Sequence, residues 1–341
     1  MKDMKRRSFL QALSVLAVGS QALVTTRNVQ AAVDEATRSV KNFPKMEYRK
    51  LGRTGFNGSR LIFGCGAALS KGQSTDLLEP ALEAGINVFD VGFRDYYADA
   101  EMHLAPFLRK HRDEIFLISK AYVPVDIDWD EEITPAQAKA GAKGWTKFLD
   151  DSLKEMKVEH VDAYYQMAAN NISVVTSDEM YEAFTKAKDA GKVSYWGIST
   201  HENAEGVLLA AAETGRFDLA QIAITPAGWY EWKNKSIRDD GKSMTDLADV
   251  LAKAREAGIG LIGMKAGRYL AGRRFLGWSR PDAFNEHYNQ KQLAADLTGF
   301  QRSYAYVLAN GMDAVNADMQ VWQHFRENVV AATEAQKLFV A

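Results

Sequence analysis

Short apolar runs alternate along this chain with longer stretches of helical periodicity. Runs bounded by glycine or polar residues are typical of buried strands, and apolar residues three or four positions apart indicate helices. Gly85, Gly191 and Gly258 each end a helical stretch directly before an apolar run, which predicts a left-handed helix cap. The predicted strands are residues 61–66, 86–91, 115–121, 161–167, 193–199, 219–225, 259–265 and 312–317, and the clearest predicted helices are residues 77–85, 145–156, 180–190 and 247–257.

This repetition predicts parallel strands joined by helical crossovers. Eight units favour an α/β fold of the (β/α)8 TIM barrel type over an open doubly wound sheet. In addition, no Gly-x-Gly-x-x-Gly opens the first helix, as a dinucleotide-binding Rossmann unit would require. Residues 47–60 predict an N-terminal β-hairpin, with Gly52 and Gly55 in its turn. We therefore predict one barrel domain over residues 47–335, with its site at the C-terminal ends of the strands.

The first 32 residues predict an export signal. Basic residues precede an apolar stretch over residues 12–24, and small residues follow it. This apolar stretch is too short to span a bilayer. The pair Arg6-Arg7 before Phe-Leu resembles a twin-arginine signal, which in bacteria marks proteins that fold before export. We therefore expect the twin-arginine export machinery as a partner, a linker over residues 33–46, and a periplasmic protein without a stable membrane span.

Composition narrows the function classes. With 47% hydrophobic and 25% charged residues, the chain has the composition of a soluble globular protein. Without residues 1–31 it carries 37 basic and 43 acidic residues, so its formal net charge changes from -2 to -6, and nucleic acid is not an expected partner. Cys65 is the single cysteine, which excludes an internal disulfide. No histidine and carboxylate spacing indicates a metal site.

Charged residues end two consecutive predicted strands. Asp90 closes the run Asn-Val-Phe-Asp, Lys120 closes the run Ile-Phe-Leu-Ile-Ser-Lys, and the pair Tyr96-Tyr97 lies between them. The C-terminal ends of parallel strands meet at one edge, where catalytic groups collect. A lysine ammonium between a carboxylate and a phenol can make that phenol a proton donor near neutral pH. Asp90, Tyr96, Tyr97 and Lys120 are therefore candidate catalytic residues; the alternative interpretation is that both tyrosines are packing aromatics.

From about residue 47 to residue 332, the sequence resembles the aldo-keto reductase family. Members of that family are barrels that transfer hydride between a nicotinamide cofactor and a carbonyl, using Asp, Tyr, Lys and His. The resemblance rests on short motifs in family order. These motifs are Glu47-Tyr-Arg-Lys-Leu-Gly-Arg-Thr-Gly55, Gly64-Cys65-Gly66, Asn87-Val-Phe-Asp90, Ala100-Glu101, Ser119-Lys120, Val161-Asp-Ala-Tyr-Tyr165, Trp196-Gly-Ile-Ser199, Gln221 and Gly263-Met-Lys265.

The resemblance implies three of the four catalytic roles. Asp90 would hold Lys120, Lys120 would lower the pKa of the tyrosine, and the tyrosine would protonate the carbonyl oxygen as hydride arrives. Counting back from Glu101, the family spacing Tyr-Gly-x-Ser-Glu falls on Tyr97, whereas counting forward from Asp90 it falls beside Tyr96. We prefer Tyr97 as the proton donor and keep Tyr96 as the alternative.

The fourth role is changed. The resemblance places a histidine where this chain has Met167, and a thioether can neither donate a hydrogen bond nor carry a proton. Slow or absent reduction of ordinary ketones is one consequence that this change implies. Asn170, Asn171 or His201 can supply the hydrogen-bond donor from neighbouring loops. The alternative interpretation is that each is an ordinary polar loop residue.

The resemblance also implies a nicotinamide site. Ser199 and Gln221 match residues that hold the nicotinamide amide, and Trp229 or Tyr230 can stack on its ring. The further predicted cofactor-binding residues are Lys265, Glu327 and Asn328.

The positions predicted to contact the cofactor phosphates match the family pattern only in part. Asp318 and Gln320 replace the glycine and the cation of the family pattern, which puts NADP preference in question and leaves NADP and NAD both open. The loop over residues 267–290 carries arginines, including Arg268, that either clamp a pyrophosphate or an anionic substrate or are simply solvated.

Three functional hypotheses follow. The first is an exported oxidoreductase of the aldo-keto reductase type, acting on a small carbonyl or sugar-like compound with its cofactor loaded before export. The second is a catalytically degenerate barrel that acts as a binding or accessory protein, as the changes at Met167 and Asp318 permit. The third is a non-redox isomerase or lyase that uses Tyr97, Lys120 and Asp90 for proton abstraction. We favour the first. The presence of Asp90 and Lys120 argues against the second, because a buried ion pair without a function is a poor source of stability.

Overall fold

The computed structural model describes residues 37–272 and 279–340 of the chain. The predicted export signal, residues 1–32, lies outside the described residues. Contacts divide the chain into two compact units, Met1–Phe43 and Pro44–Ala341, and only residues 37–43 of the first are described. The second unit contains the whole of the predicted barrel domain. Within the described residues, no helix is both long enough and apolar enough to cross a membrane.

In the described part of the chain, eight parallel strands form a closed barrel with helices around it, as the sequence predicts. Strand β12 pairs with β3, and the further pairing of β7 with β8 closes the ring. The barrel strands are Leu61–Gly64 (β3), Val88–Asp90 (β4), Phe116–Tyr122 (β5), Val161–Met167 (β6), Val193–Thr200 (β7), Leu219–Thr225 (β8), Gly260–Met264 (β11) and Ala314–Asp318 (β12), and two antiparallel hairpins add Tyr48–Lys50 (β1), Asn57–Ser59 (β2), Gly228–Glu231 (β9) and Ser236–Ile237 (β10).

Helices alternate with these strands, and the predicted glycine caps at residues 85, 191 and 258 have φ values of 90°, 73° and 81°. The α-helices are Cys65–Leu69 (α1), Leu78–Glu83 (α2), Arg94–Tyr97 (α3), Ala100–His111 (α4), Pro135–Met156 (α5), Ile172–Val175 (α6), Asp178–Asp189 (α7), Ala204–Thr214 (α8), Ala248–Glu256 (α9), Gln290–Ala294 (α10), Gly299–Ala309 (α11) and Trp322–Ala332 (α12). Short 3-10 helices span Gly52–Thr54, Thr75–Leu77, Arg112–Glu114, Met244–Leu247, Asn285–His287 and Ala335–Leu338.

The predicted N-terminal hairpin, β1 and β2, lies at the N-terminal end of the barrel. Leu51, in its turn, is fully buried in a core cluster with Ile62, Val88 and Ile118 of the barrel strands. Arg53 donates to the carbonyl oxygens of residues that precede β8 and β11, at 2.6–3.0 Å. The hairpin therefore fills the end of the barrel opposite to the predicted site.

The second hairpin, β9 and β10, is not among the strands that the sequence pattern predicts. It follows directly after β8, with which β9 pairs through Ile224 and Trp229. Each of its strands has at most four residues, too few for an alternating pattern to be recognised, and its turn contains Lys235 with a φ of 52°. This hairpin carries Trp229, Tyr230 and Trp232.

Candidate active site

Polar side chains meet inside the barrel at the C-terminal ends of the strands. Side chains alternate along a strand, and the core cluster identifies the interior positions: Val88 lies two residues before Asp90, and Ile118 lies two residues before Lys120. The same alternation places further residues on the interior surface, namely Met167, Ser199, Gln221, Met264 and Asn316. The barrel therefore brings side chains from seven strands to one mouth, and Asp90, Lys120, Met167, Ser199 and Gln221 among them are residues that the sequence analysis singled out.

Asp90 and Lys120 form a buried ion pair. The Lys120 Nζ lies 2.6 Å from both carboxylate oxygens of Asp90 and donates to the Val91 carbonyl oxygen at 2.8 Å. Both side chains are at most 4% exposed. Asn316 Nδ2 donates to Asp90 Oδ2 and, at 3.2 Å, to Gln221 Oε1. These contacts satisfy the Lys120 ammonium and hold it in one position.

Tyr97 lies beside this ion pair, enclosed by two glycines. A Cβ atom added at Gly66 would lie 2.4 Å from the Tyr97 ring, and one added at Gly92 would lie 2.8 Å from it. The ring therefore occupies the space that any other residue at either position would fill. The Lys120 Nζ lies 5.6 Å from the centre of the Tyr97 ring.

Tyr96 points elsewhere. Its side chain is 53% exposed, and its ring packs edge-on against Tyr97, with 4.7 Å between ring centres and 76° between ring planes. Since Tyr97 is the tyrosine that lies next to Lys120, the structure supports the preference for Tyr97 as the proton donor.

The expected lowering of the tyrosine pKa by Lys120 does not occur in this structure. Burial raises the pKa of Tyr97, and the charges of Asp90 and Asp318 raise it further, as does Tyr96. The Lys120 ammonium donates to Asp90 and Val91, and its Nζ lies 5.6 Å from the centre of the Tyr97 ring. Tyr97 is therefore held neutral, the protonation state that a proton donor requires.

Met167 leaves the predicted catalytic group without the hydrogen-bond donor that a histidine would supply. Met167 ends β6 and is 6% exposed, so a side chain without a hydrogen-bond donor lines the interior beside Ser199. Of the three alternative donors, Asn171 has a structural role: its side chain caps α6 and donates to the carbonyl oxygens of Asp128 and Glu131. His201 follows β7, near the barrel mouth.

The two residues expected to hold the nicotinamide amide have unused hydrogen-bonding capacity. The Ser199 Oγ is buried and has no hydrogen-bond partner in the described part of the chain. The Gln221 Nε2 meets only the Met264 Sδ, at 3.6 Å, which is a weak acceptor. Buried polar atoms without good partners are costly. A carboxamide with one acceptor and one donor group fits these atoms.

Three aromatic residues of the second hairpin have different surroundings, and Trp229 and Tyr230 are the two that were predicted to stack on the nicotinamide ring. Tyr230 is 1% exposed and packs in a cluster with Ala223 and Met264, and Trp229 donates to Glu205. Trp232 is half-buried and lies against that cluster. The role of Tyr230 in cofactor binding stays a prediction, whereas Trp232 is the ring that meets the charged groups of the mouth.

Basic side chains surround Trp232. The Lys265 Nζ lies 4.5 Å from its ring centre, the Lys235 Nζ 5.6 Å, and the Arg268 guanidinium carbon 5.8 Å. Lys265 has a φ of 65°, a left-handed conformation that is rare for residues other than glycine. Burial lowers the pKa of Lys265 to about 8, although the nearby charge of Asp318 opposes this. Such a positive cluster suits an anionic ligand group.

The remaining predicted cofactor residues lie on α12. Glu327 is half-buried, and its carboxylate accepts from Gln323 at 2.9 Å; Asn328 is 7% exposed. Asp318 ends β12 and accepts from Gln320 at 2.8 Å. Asp318 therefore adds negative charge at the barrel mouth, where the resemblance leads one to expect a glycine.

Comparison with known proteins identifies the family. The family model described as "Aldo/keto reductase family" matches residues 52–306, which is most of the barrel. This chain belongs to the aldo/keto reductase family. The resemblance drawn from its motifs is thereby confirmed.

Relatives of this aldo/keto reductase are named oxidoreductases or reductases. The uncharacterized oxidoreductase YrpG of Bacillus subtilis is 28% identical over 282 residues, covering 74% of this chain and 78% of that protein. Versiconal hemiacetal acetate reductase of Aspergillus parasiticus is 22% identical over 240 residues, covering 64% and 66%. A solved Pseudomonas aeruginosa protein described as an aldo-keto reductase has a TM-score of 0.57 and 19% identity, covering 84% and 94%. The chain is thus an oxidoreductase of this family, and the solved relative confirms the barrel fold.

Sequence reasoning missed several residues that shape the site of this aldo/keto reductase. Asn316 donates hydrogen bonds to both Asp90 and Gln221, and basic side chains surround the Trp232 ring. Gly66 belongs to one of the motifs, but no sequence pattern predicts that it and Gly92 enclose the Tyr97 ring. An amide two residues after Ala314 in an apolar strand was the available signal for Asn316.

A buried carboxyl group lies behind the ion pair. Glu101, in the first turn of α4, is 1% exposed and accepts from the Ser119 Oγ at 2.7 Å. Burial raises its pKa to about 7, against the opposing hydrogen bonds of Ser119 and Ser152. Ser119 precedes Lys120 on β5, so this carboxyl group lies behind the strand that carries Lys120.

We expect Glu101 to make the stability of the barrel fall with rising pH. Its pKa is raised on folding, so its contribution is fully present below the unfolded pKa of about 4.5 and is lost as pH rises through about 7. The loss is about 3 kcal/mol. Glu101→Gln should remove this part of the pH dependence, measured as urea unfolding midpoints at about pH 5 and about pH 8. The exposed Glu83→Gln is the control, and an equal pH slope in both variants would contradict the assignment.

Proposed function

We propose that this chain is a nicotinamide-dependent reductase of small carbonyl or sugar-like compounds, with Tyr97 as its proton donor. The observation that carries the proposal is the position of the Tyr97 ring, enclosed by Gly66 and Gly92 next to the buried pair of Lys120 and Asp90. This arrangement holds a neutral phenol at the barrel mouth, beside a positive charge. Proton donation to a carbonyl oxygen requires such a group at a fixed place.

Each residue has a separate task in this proposal. The Tyr97 hydroxyl transfers its proton to the carbonyl oxygen. Lys120 stabilises the negative charge that then develops, which is worth most in a site with little water. Asp90 positions Lys120, and Asn316 positions Asp90. A reduced nicotinamide dinucleotide, when bound, supplies the hydride.

The cofactor would be held by residues on both sides of the mouth. Ser199 and Gln221 have the free hydrogen-bonding capacity for its carboxamide, and Lys265 and Arg268 have the charge for its phosphates. Asp318 disfavours an additional phosphate at the end of β12 by like-charge repulsion. The proposal therefore includes both NAD and NADP, with NAD the better match at Asp318.

We further propose that the protein works in the periplasm. The support is the basic, apolar and small-residue order of residues 1–32, with the paired arginines of a twin-arginine signal. A protein exported in folded form can carry a tightly bound cofactor with it. The reductase would then recycle that cofactor between two substrates.

One measurement tests the proposed function. The full chain is purified from cells that export it and then denatured, and the supernatant is analysed for a nicotinamide dinucleotide by absorbance and mass. We expect NAD or NADP to be released, and the emptied protein to bind added NADH or NADPH. A chain that releases neither and binds neither would exclude the reductase and leave the degenerate barrel, which Met167 permits.

A matched pair of serine variants sharpens this measurement. Ser199→Ala should weaken nicotinamide binding about fivefold, because it removes one hydrogen bond to the carboxamide. Ser194→Ala on the same strand is the control, since the Ser194 Oγ is 2.9 Å from the His160 Nε2 at the other end of β7. Equal weakening in both variants would show that the serine at 199 does not hold the cofactor.

A further inference from the structure

His201 lies where a replacement for the missing histidine is needed. Met167 at the end of β6 is in register with Ser199 on β7, and His201 follows Ser199 by two residues. His201 lies in the bend that follows β7, and its ring lies near that of Trp232 at the barrel mouth. An imidazole that follows β7 therefore lies next to β6, the strand that ends in Met167 instead of a histidine.

The surroundings of His201 leave its ring available. The ring centre is 5.9 Å from that of Trp232, with 47° between the ring planes. Neither ring nitrogen has a hydrogen-bond partner among the residues that the structure describes, although the side chain is half-buried. A half-buried imidazole can bind water or a ligand through either of its nitrogens. An unpaired one at an active-site mouth has a donor to offer.

The charge state of His201 also suits a donor. Burial lowers its pKa to about 3, and the positive charges of Lys265 and Lys120 add to the effect. His201 is therefore a neutral imidazole at physiological pH, with one N–H that can donate and one nitrogen that can accept.

Other side chains near the gap are less suitable. Asn171 is fully used by its capping and carbonyl contacts. Gln166, next to Met167, has the opposite alternation and faces away from the barrel interior. Lys265 can donate, but it lies closer to Trp232 and fits the anionic part of a ligand.

We propose that His201 donates a hydrogen bond to the carbonyl oxygen of the substrate, and so takes over from β7 the task that Met167 cannot perform on β6. This inference rests on the proposed reductase function. The carbonyl carbon gains the hydride of a reduced nicotinamide dinucleotide, the C=O π pair moves to oxygen, and that oxygen takes the Tyr97 proton. His201 keeps its own proton and orients the oxygen toward Tyr97. The products are an alcohol, the oxidised dinucleotide and a tyrosinate that solvent reprotonates.

Kinetics of three variants test the proposal. His201→Leu should lower kcat/KM for glyceraldehyde and 4-nitrobenzaldehyde about 100-fold, because it removes one donor to the developing oxyanion. His201→Asn, which retains an N–H donor, should restore part of the loss. Met167→His in the His201→Leu background should restore activity as well, because it returns the imidazole to β6. The exposed His324→Leu is the control and should leave the rate unchanged.

A second readout does not depend on turnover. Nitrogen-15 NMR of the histidine side chains, in the presence of the oxidised dinucleotide, should show the resonances of His201 in the neutral form from about pH 5 to about pH 8. They are identified by their absence in His201→Asn. Adding 4-nitrobenzaldehyde should shift these resonances and leave those of His324 unchanged.

The outcomes separate this inference from the function on which it rests. If His201→Leu keeps full kcat/KM and the NMR resonances do not move, while Tyr97→Phe is inactive, the inference is wrong and the reductase stands. If the wild type neither binds a nicotinamide dinucleotide nor reduces either aldehyde, both are wrong. Loss of activity in His201→Leu that Met167→His fails to restore would show that His201 serves the fold rather than the carbonyl.

Discussion

Tyr97→Phe should lower kcat/KM for carbonyl reduction by about 10²- to 10⁴-fold, the usual contribution of a positioned general acid. The change removes only the hydroxyl, and the ring that fills the space between Gly66 and Gly92 remains. Folding and dinucleotide binding should therefore stay as in the wild type. Steady-state kinetics with an aldehyde, together with a dinucleotide titration, measures both quantities.

Tyr96→Phe is the matched control. It removes the same hydroxyl from the neighbouring tyrosine, which is 53% exposed and touches Tyr97 edge-on. We expect its kcat/KM to be little changed. The opposite ranking, with Tyr96→Phe inactive and Tyr97→Phe active, would mean that the exposed tyrosine moves into the mouth when substrate binds.

Lys120→Met should lower the free energy of unfolding by about 3–5 kcal/mol, in addition to abolishing activity. The change leaves the Asp90 carboxylate buried, with only the Asn316 amide and no cation to balance it. Urea unfolding near pH 7, followed by far-UV circular dichroism, gives the measurement. The exposed pair Lys147 and Asp151 supplies a control, because Lys147→Met should cost less than about 1 kcal/mol.

A double variant separates the two contributions of the ion pair. Asp90→Asn combined with Lys120→Met removes both charges, so it should regain most of the stability that Lys120→Met loses. Its activity should remain absent, because neither variant restores a positive charge beside Tyr97. Equal instability of the single and double variants would indicate lost packing around Lys120 rather than an unbalanced carboxylate.

Much of the site could be predicted because strand ends are a local property of the sequence. The apolar runs that end in Asp90 and Lys120 are visible without any structure, and a parallel barrel brings such ends to one mouth. The missing histidine at Met167 was visible in the same way. Ser199 and Gln221 likewise occupy the interior positions that the motifs imply.

The choice of tyrosine depended on distant residues. Tyr96 and Tyr97 are neighbours with similar surroundings in sequence, and the two motif spacings disagreed. The close approach of Gly66 and Gly92 to one ring distinguishes them. The direction of the pKa shift of Tyr97 likewise depends on burial and on the nearby charges of Asp90 and Asp318, which motif spacing does not reveal.

The sequence by itself determined the barrel, its N-terminal hairpin and the strand ends that carry Asp90, Lys120 and the changed Met167, because alternation and periodicity are encoded by neighbouring residues. Only the tertiary structure decided that Tyr97 rather than Tyr96 lies beside the ion pair, that basic side chains surround Trp232, and that the His201 imidazole lies near Trp232 with no hydrogen-bond partner among the described residues. These features arise from contacts between separate loops, whose distances and burial no local pattern of residues specifies.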